Sequence, residues 1–139
     1  MHHFGADVMG RRAAVLPLIV GVAAAMVAPT AHASDVVTYE VVSDTIPQAN
    51  VEYIDASGRQ LLEAVALPWR IDVTLDDARG PTGPGAQLRA DWRPLKSKWR
   101  DVTVRIYDGP NLLCESTLDV GDATCYGNTP HMYDGKRYT

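Results

Sequence analysis

The sequence predicts an all-β domain of two packed sheets behind a short hydrophobic N-terminal segment. Three observations carry that prediction. From Val36 onward, apolar and polar residues alternate with period two in run after run, the pattern of half-buried strands. Gly, Pro, Asn and Asp fall between the runs, where tight turns require them. Alternation gives each sheet one wet and one dry face, and two dry faces have to be buried against each other.

Residues 1–33 read as an export segment. Arg11 and Arg12 supply a positive start, and Ala13 to Ala28 is uncharged and mostly aliphatic. Ala31-His32-Ala33 fits the small-x-small pattern of a signal cleavage site, with Ser34 following the cut. The uncharged run is short for a membrane-spanning helix, which needs about 20 apolar residues. Ala13 to Ala33 as a whole has little polarity, however, so two readings stand: a cleaved signal peptide, or a retained anchor helix. Export places the remainder outside the cytoplasm, secreted if the signal is cut and held at the outer face of the cytoplasmic membrane if it is not.

The β-sandwich is expected over 34–127. Val37, Tyr39 and Val41 alternate with Thr38, Glu40 and Val42; Ala49, Val51 and Tyr53 alternate with Asn50 and Glu52. Ala56-Ser57-Gly58 marks a turn. Gln60 to Leu67 suits a helical face as well as a strand, and the flanking strands and Pro68 favour a strand or irregular edge. Trp69, Ile71, Val73 and Leu75 then alternate, which places Trp69 inward and Asp72 and Asp76 outward. Gly80 to Gly85 reads as a loop. Ala86, Leu88, Ala90 and Trp92 share the next dry face, and Pro94 to Arg100 forms another loop. Val102 to Tyr126 is expected to be a three-strand meander turning at Asp108 to Asn111 and again at Gly121-Asp122. Residues 128–139 read as a mobile C-terminal tail. The total is seven or eight short antiparallel strands, best fitted by an immunoglobulin-like sandwich. The Cys–Trp–Cys order of a standard immunoglobulin domain is absent, because both cysteines follow all three tryptophans.

Without residues 1–33 the chain has 106 residues, with 11 basic and 16 acidic side chains and a net charge of −5. That balance argues against general nucleic-acid binding, which needs excess positive charge. Cys114 and Cys125 are both in this part. Three roles stand for them: a disulfide, favoured in an exported chain; unpaired thiols; or catalysis. Metal binding is poorly served by two cysteines and one nearby histidine. An enzyme is not expected. Past Ala33 the only histidine is His131, and a nucleophile–base set needs a base. Asp72, Asp76 and Asp77 are the closest carboxylate cluster, but outward parity makes them a solvated edge. No cofactor or metal is expected.

The most informative polar stretch is Arg89 to Arg100, which reads RADWRPLKSKWR. Arg89, Arg93, Lys96, Lys98 and Arg100 surround Trp92 and Trp99, a combination that suits an anionic headgroup, an acidic glycolipid or an acidic partner. The competing reading is structural: Trp92 in the core, Trp99 covering an edge, and charges that keep a loop soluble. Arg89, Arg93, Lys96, Lys98, Trp99 and Arg100 are therefore the expected contact residues.

The order Val37-Thr38-Tyr39-Glu40-Val41, Ala49 to Asp55, Val65-Ala66-Leu67-Pro68-Trp69, Arg105-Ile106-Tyr107-Asp108-Gly109 and Cys125 resembles the mycobacterial small membrane proteins of the MmpS type. The resemblance covers roughly Val36 to Tyr126. It implies one membrane helix, a β-sandwich outside the cytoplasmic membrane, and a non-enzymatic accessory role beside RND-type, MmpL-like transporters that export siderophores or lipids. Three departures are visible. The family's first cysteine precedes the Arg-Ile pair, where this chain has Val104, and a cysteine stands at Cys114 instead. The Trp92 to Arg100 loop is longer and more basic, and the N-terminus looks cleavable. A freely secreted binding module for a small apolar or glycolipid ligand is the alternative.

Overall fold

The computed structural model describes residues 15–24, 33–95, 98–129 and 131–133. The chain divides into two units, Met1–Thr30 and Ala31–Thr139. In the first, residues 15–24 are exposed and carry no regular secondary structure. Of the segment expected to be a signal or anchor helix, residues 1–14 and 25–32, including Ala31, lie outside the described residues. No helix among the described residues is long and apolar enough to cross a membrane.

The second unit contains nine strands among the described residues: β1 (Asp35–Val42), β2 (Gln48–Asp55), β3 (Gly58–Ala66), β4 (Trp69–Leu75), β5 (Gln87–Asp91), β6 (Val102–Asp108), β7 (Asn111–Leu118), β8 (Asp122–Tyr126) and β9 (His131–Tyr133). They form a five-stranded sheet in the order β4-β1-β6-β7-β9 and a four-stranded sheet in the order β3-β2-β5-β8. Every pairing is antiparallel except β7 with β9, which is parallel.

Alternation turns the predicted faces inward. Val37, Tyr39, Val41, Val102, Val104 and Ile106 from the larger sheet are fully buried, as are Val51, Leu88 and Ala90 from the smaller one. The expected dry face Ala86, Leu88, Ala90, Trp92 is buried throughout. Trp69 is only partly buried at the edge strand β4, where it packs 5.5 Å from Tyr53, itself 5.6 Å from Tyr39. The Tyr39 hydroxyl ties the sheets together by donating to the Ile54 carbonyl at 2.7 Å and accepting from the Gln87 N–H at 3.3 Å. Side chains thus fill the space between the sheets.

On the outer face of the larger sheet, register sets Arg70, Glu40, Arg105 and Glu115 side by side on four adjacent strands. Arg70 and Arg105 both donate to Glu40, at 3.0 and 2.7 Å, and Arg105 also donates to Glu115. The Glu115 bond is the main influence holding the Arg105 guanidinium above its ordinary pKa. Alternating signs make each cross-strand neighbour attractive.

Two expectations are corrected. Val102 to Tyr126 is not a meander: β6 and β7 form a hairpin in one sheet, and β8 crosses to pair with β5 in the other. Period two assigns a face to each residue but does not assign a strand to a sheet. Cys114 and Cys125 form a disulfide that joins the two sheets, with Cα atoms 5.8 Å apart. Next, the segment expected to be a mobile tail contributes β9, which extends the larger sheet beyond β7 and raises the strand count past eight. Within that segment, residues 130 and 134–139 lie outside the described ones. The stretch from Gln60, where the sequence favours a strand or irregular edge over a helical face, is part of the edge strand β3, as expected. A bulge opposite Asn50 interrupts it, and Ala64 there adopts φ 51°. The extra residue broke the period that the alternation test relies on.

Candidate functional site

The basic stretch follows from how β5 ends. Arg89 and Asp91 point to the outer face of the smaller sheet while Ala90 and Trp92 point inward. Trp92 is 1% exposed, and its indole N–H donates to the Lys98 carbonyl at 2.7 Å. Leu95 N–H donates to the Trp92 carbonyl and its side chain packs on the core. A buried indole with a satisfied N–H therefore anchors both ends of the loop.

The loop's cations separate into two groups. Arg93 grips Asp91 with a fork, Nε to Oδ1 at 3.0 Å and Nη2 to Oδ2 at 2.6 Å. Arg89 reaches Asp122 on β8 at 3.2 Å. The fork from Arg93 holds the Asp91 carboxyl below its ordinary pKa. Gly121 makes room for Arg93: its φ is +98°, and a Cβ there would sit 2.5 Å from Arg93 Cγ. Arg89, Arg93, Asp91 and Asp122 together are electrically neutral, so two of the predicted contact cations are engaged within the fold.

Lys98, Trp99 and Arg100 are different. Trp99 is 67% exposed, and the Lys98 ammonium stands 5.0 Å from its ring centroid, within cation–π range. Arg100 is exposed and has no ion pair among the described residues. Lys96 lies outside the described residues. A groove of about 290 Å³ beside this loop is lined by Asn50, Glu63, Asp91, Trp92 and Leu95 among others.

The loop's place in the sandwich is set by register. β1 begins at Asp35 opposite Leu75, the end of β4, and Val42 at its other end pairs with Thr103, just after the loop. The basic loop and the start of β1 thus occupy opposite ends of the sandwich. At the β1-start end, a second groove of about 430 Å³ carries Asp55, Asp76, Asp77, Pro81 and Gly83. Asp72 is not part of it. That carboxylate accepts the Thr38 hydroxyl at 2.7 Å. No group of three or more His, Cys, Asp or Glu among the described residues could hold a metal ion. Ala33 and Ser34, the expected cleavage residues, are exposed and irregular ahead of β1.

Sequence reasoning found the cations and missed their carboxylate partners. Asp91 stands two residues from Arg93 and was open to inspection. Asp122 is brought to Arg89 by the β5–β8 ladder across 33 residues of chain, and no local pattern signals it. Compared with known proteins, the chain matches no family model and has no significant match among curated proteins.

Proposed function

We propose that this chain is a non-enzymatic accessory protein of an RND-type, MmpL-like envelope transporter, supporting export of lipid or siderophore cargo from an extracytoplasmic, immunoglobulin-like sandwich. One observation carries the choice of docking surface. Trp99 is exposed beside Lys98 and Arg100, at the end of the sandwich opposite the start of β1. An exposed tryptophan flanked by cations is an expensive surface to leave in water, and Trp and Arg are the side chains that anchor protein interfaces. The inter-sheet disulfide supports an oxidising compartment. The resemblance to the MmpS type supplies the class of partner. The alternative, a freely secreted module for an apolar ligand, would have to use surface grooves such as the two at the ends of the sandwich, since buried side chains of both sheets pack together between them.

The test is co-purification of the chain with RND-type transporters from its native envelope. The double variant Trp99→Ala/Arg100→Glu is expected to reduce recovered transporter by at least about tenfold with an unchanged circular dichroism spectrum. Equal recovery would remove the loop from the interface. A native chain found only in the released fraction, with no transporter bound, would favour the secreted module.

A further inference from the structure

We propose that β3 is a dimerisation edge, and that two copies of this chain pair their β3 strands antiparallel about Leu61 to make one continuous eight-stranded sheet. The strand is one of the two edges of the smaller sheet and, among the described residues, pairs only with β2. Its outer face presents Arg59, Leu61 and Glu63, all exposed, and Leu61 is 62% exposed. A leucine centred between a cation and an anion at equal spacing is self-complementary under a two-fold axis. In an antiparallel pair centred on Leu61, each Leu61 faces the other. Each Arg59 faces the second copy's Glu63, and each Glu63 its Arg59. Opposite charges directly across an antiparallel pair attract, and apolar side chains there bury each other.

Backbone parity agrees with this register. The two-residue turn Ala56-Ser57 closes on the pair Asp55–Gly58, so Gln60 and Leu62 bond back to β2, and Arg59, Leu61 and Glu63 turn their N–H and C=O groups to the open side. Beyond the bulge, the Leu67 N–H bonding to the Pro47 carbonyl at 3.0 Å fixes the same alternation from the other end. The three residues whose side chains are complementary are thus the ones before the bulge whose backbone groups face the open side. Glu63 has no ion pair among the described residues, and Arg59 pairs with Glu52 across β2, which leaves its fork able to serve a second carboxylate. The bulge at Ala64 ends the regular edge directly after Glu63. Both copies use the same patch, so the contact closes at two and does not propagate.

Sedimentation of the native chain in non-ionic detergent tests this, with three variants. The native chain is expected to show a reversible monomer–dimer equilibrium. Glu63→Arg sets like charges opposite each other twice and disturbs no ion pair among the described residues, so it should raise the dimer Kd by at least about tenfold. Adding Arg59→Glu to it reverses both signs and should return Kd to within about threefold of native. Leu61→Asp should leave only monomer. A native chain that stays monomeric across the concentration range overturns the proposal. So does self-association that ignores Glu63→Arg, which would belong to the apolar N-terminal segment.

Discussion

Tyr39 shows at the scale of one residue what burial does to an ordinary side chain. Its parity put it in the core, and it is fully buried there. The hydroxyl then needed partners, because an unpaired buried donor costs about 1–3 kcal/mol. It found Ile54 and Gln87 on the facing sheet. Burial is the main cause that pushes the phenol up to about 12 from its ordinary 10.0. The folded pKa is the higher one, so the unfolded chain ionises first. The associated stability is whole below pH 10 and is lost as pH rises toward about 12. Urea unfolding across that range should show stability falling by about 2 kcal/mol. Tyr39→Phe should cost about 1–2 kcal/mol at pH 7, with the buried Ile54 carbonyl and the part-buried Gln87 N–H losing their partner, and it should flatten the alkaline loss. A native-like slope in the variant would assign the loss to other groups. One is Tyr53, whose phenol burial also raises. The inward Tyr39 was legible in the sequence. Its partners were not, because Gln87 lies 48 residues away. The Arg89–Asp122 pair was hidden for the same reason.

At the scale of an element, β3 is the strand whose sequence argued least clearly for itself. Leu61, Leu62, Val65 and Ala66 resemble a helical stripe because one extra residue, inserted opposite Asn50, shifts the period midway. Strands with unbroken alternation, β1, β4, β5 and β6, were readable from residue order alone. The bulge is held by a specific bond: Asn50 Oδ1 accepts the Ala64 N–H at 2.9 Å. Ala64 stands at φ 51°, where a Cβ is strained by roughly 1–2 kcal/mol. Ala64→Gly removes that strain but loosens the unfolded chain by about 0.4–1 kcal/mol, so its net effect should lie between neutral and about 1.5 kcal/mol stabilising. Ala64→Val sets a β-branched residue in a region it strongly avoids and should destabilise by about 1–2 kcal/mol. Paired chemical denaturation of the two variants separates these outcomes. Equal losses from Gly and Val would mean that φ at this position is not what the bulge depends on.

For the whole molecule, what residue order withheld was the assignment of strands to sheets, and the disulfide is where that matters most. The eleven-residue separation of Cys114 and Cys125 fits a hairpin staple within one sheet as well as a bridge between two. Only the register, with β7 on β6 and β8 on β5, makes it a bridge. Its mechanical role follows from topology. Among the described residues, β8 is a five-residue edge strand whose only neighbour in its sheet is β5, and β9 follows it as a three-residue edge of the other sheet. Both depend on the chain crossing between sheets at the right place, and the bridge fixes that crossing at Cys125. Closing a loop of this length should contribute about 3 kcal/mol, a large share of the stability of a domain this size. Cys114→Ala/Cys125→Ala, or full reduction, should therefore lower Tm by roughly 15 °C. Hydrogen exchange should locate the loss, with the amides of Asp122–Tyr126 losing protection before those of β1 and β6 at the centre of the larger sheet, because the bridge restrains the weakly paired edge and not the middle. Uniform loss across both sheets would instead show that the bridge acts on the unfolded chain alone, with no share in holding β8 against β5.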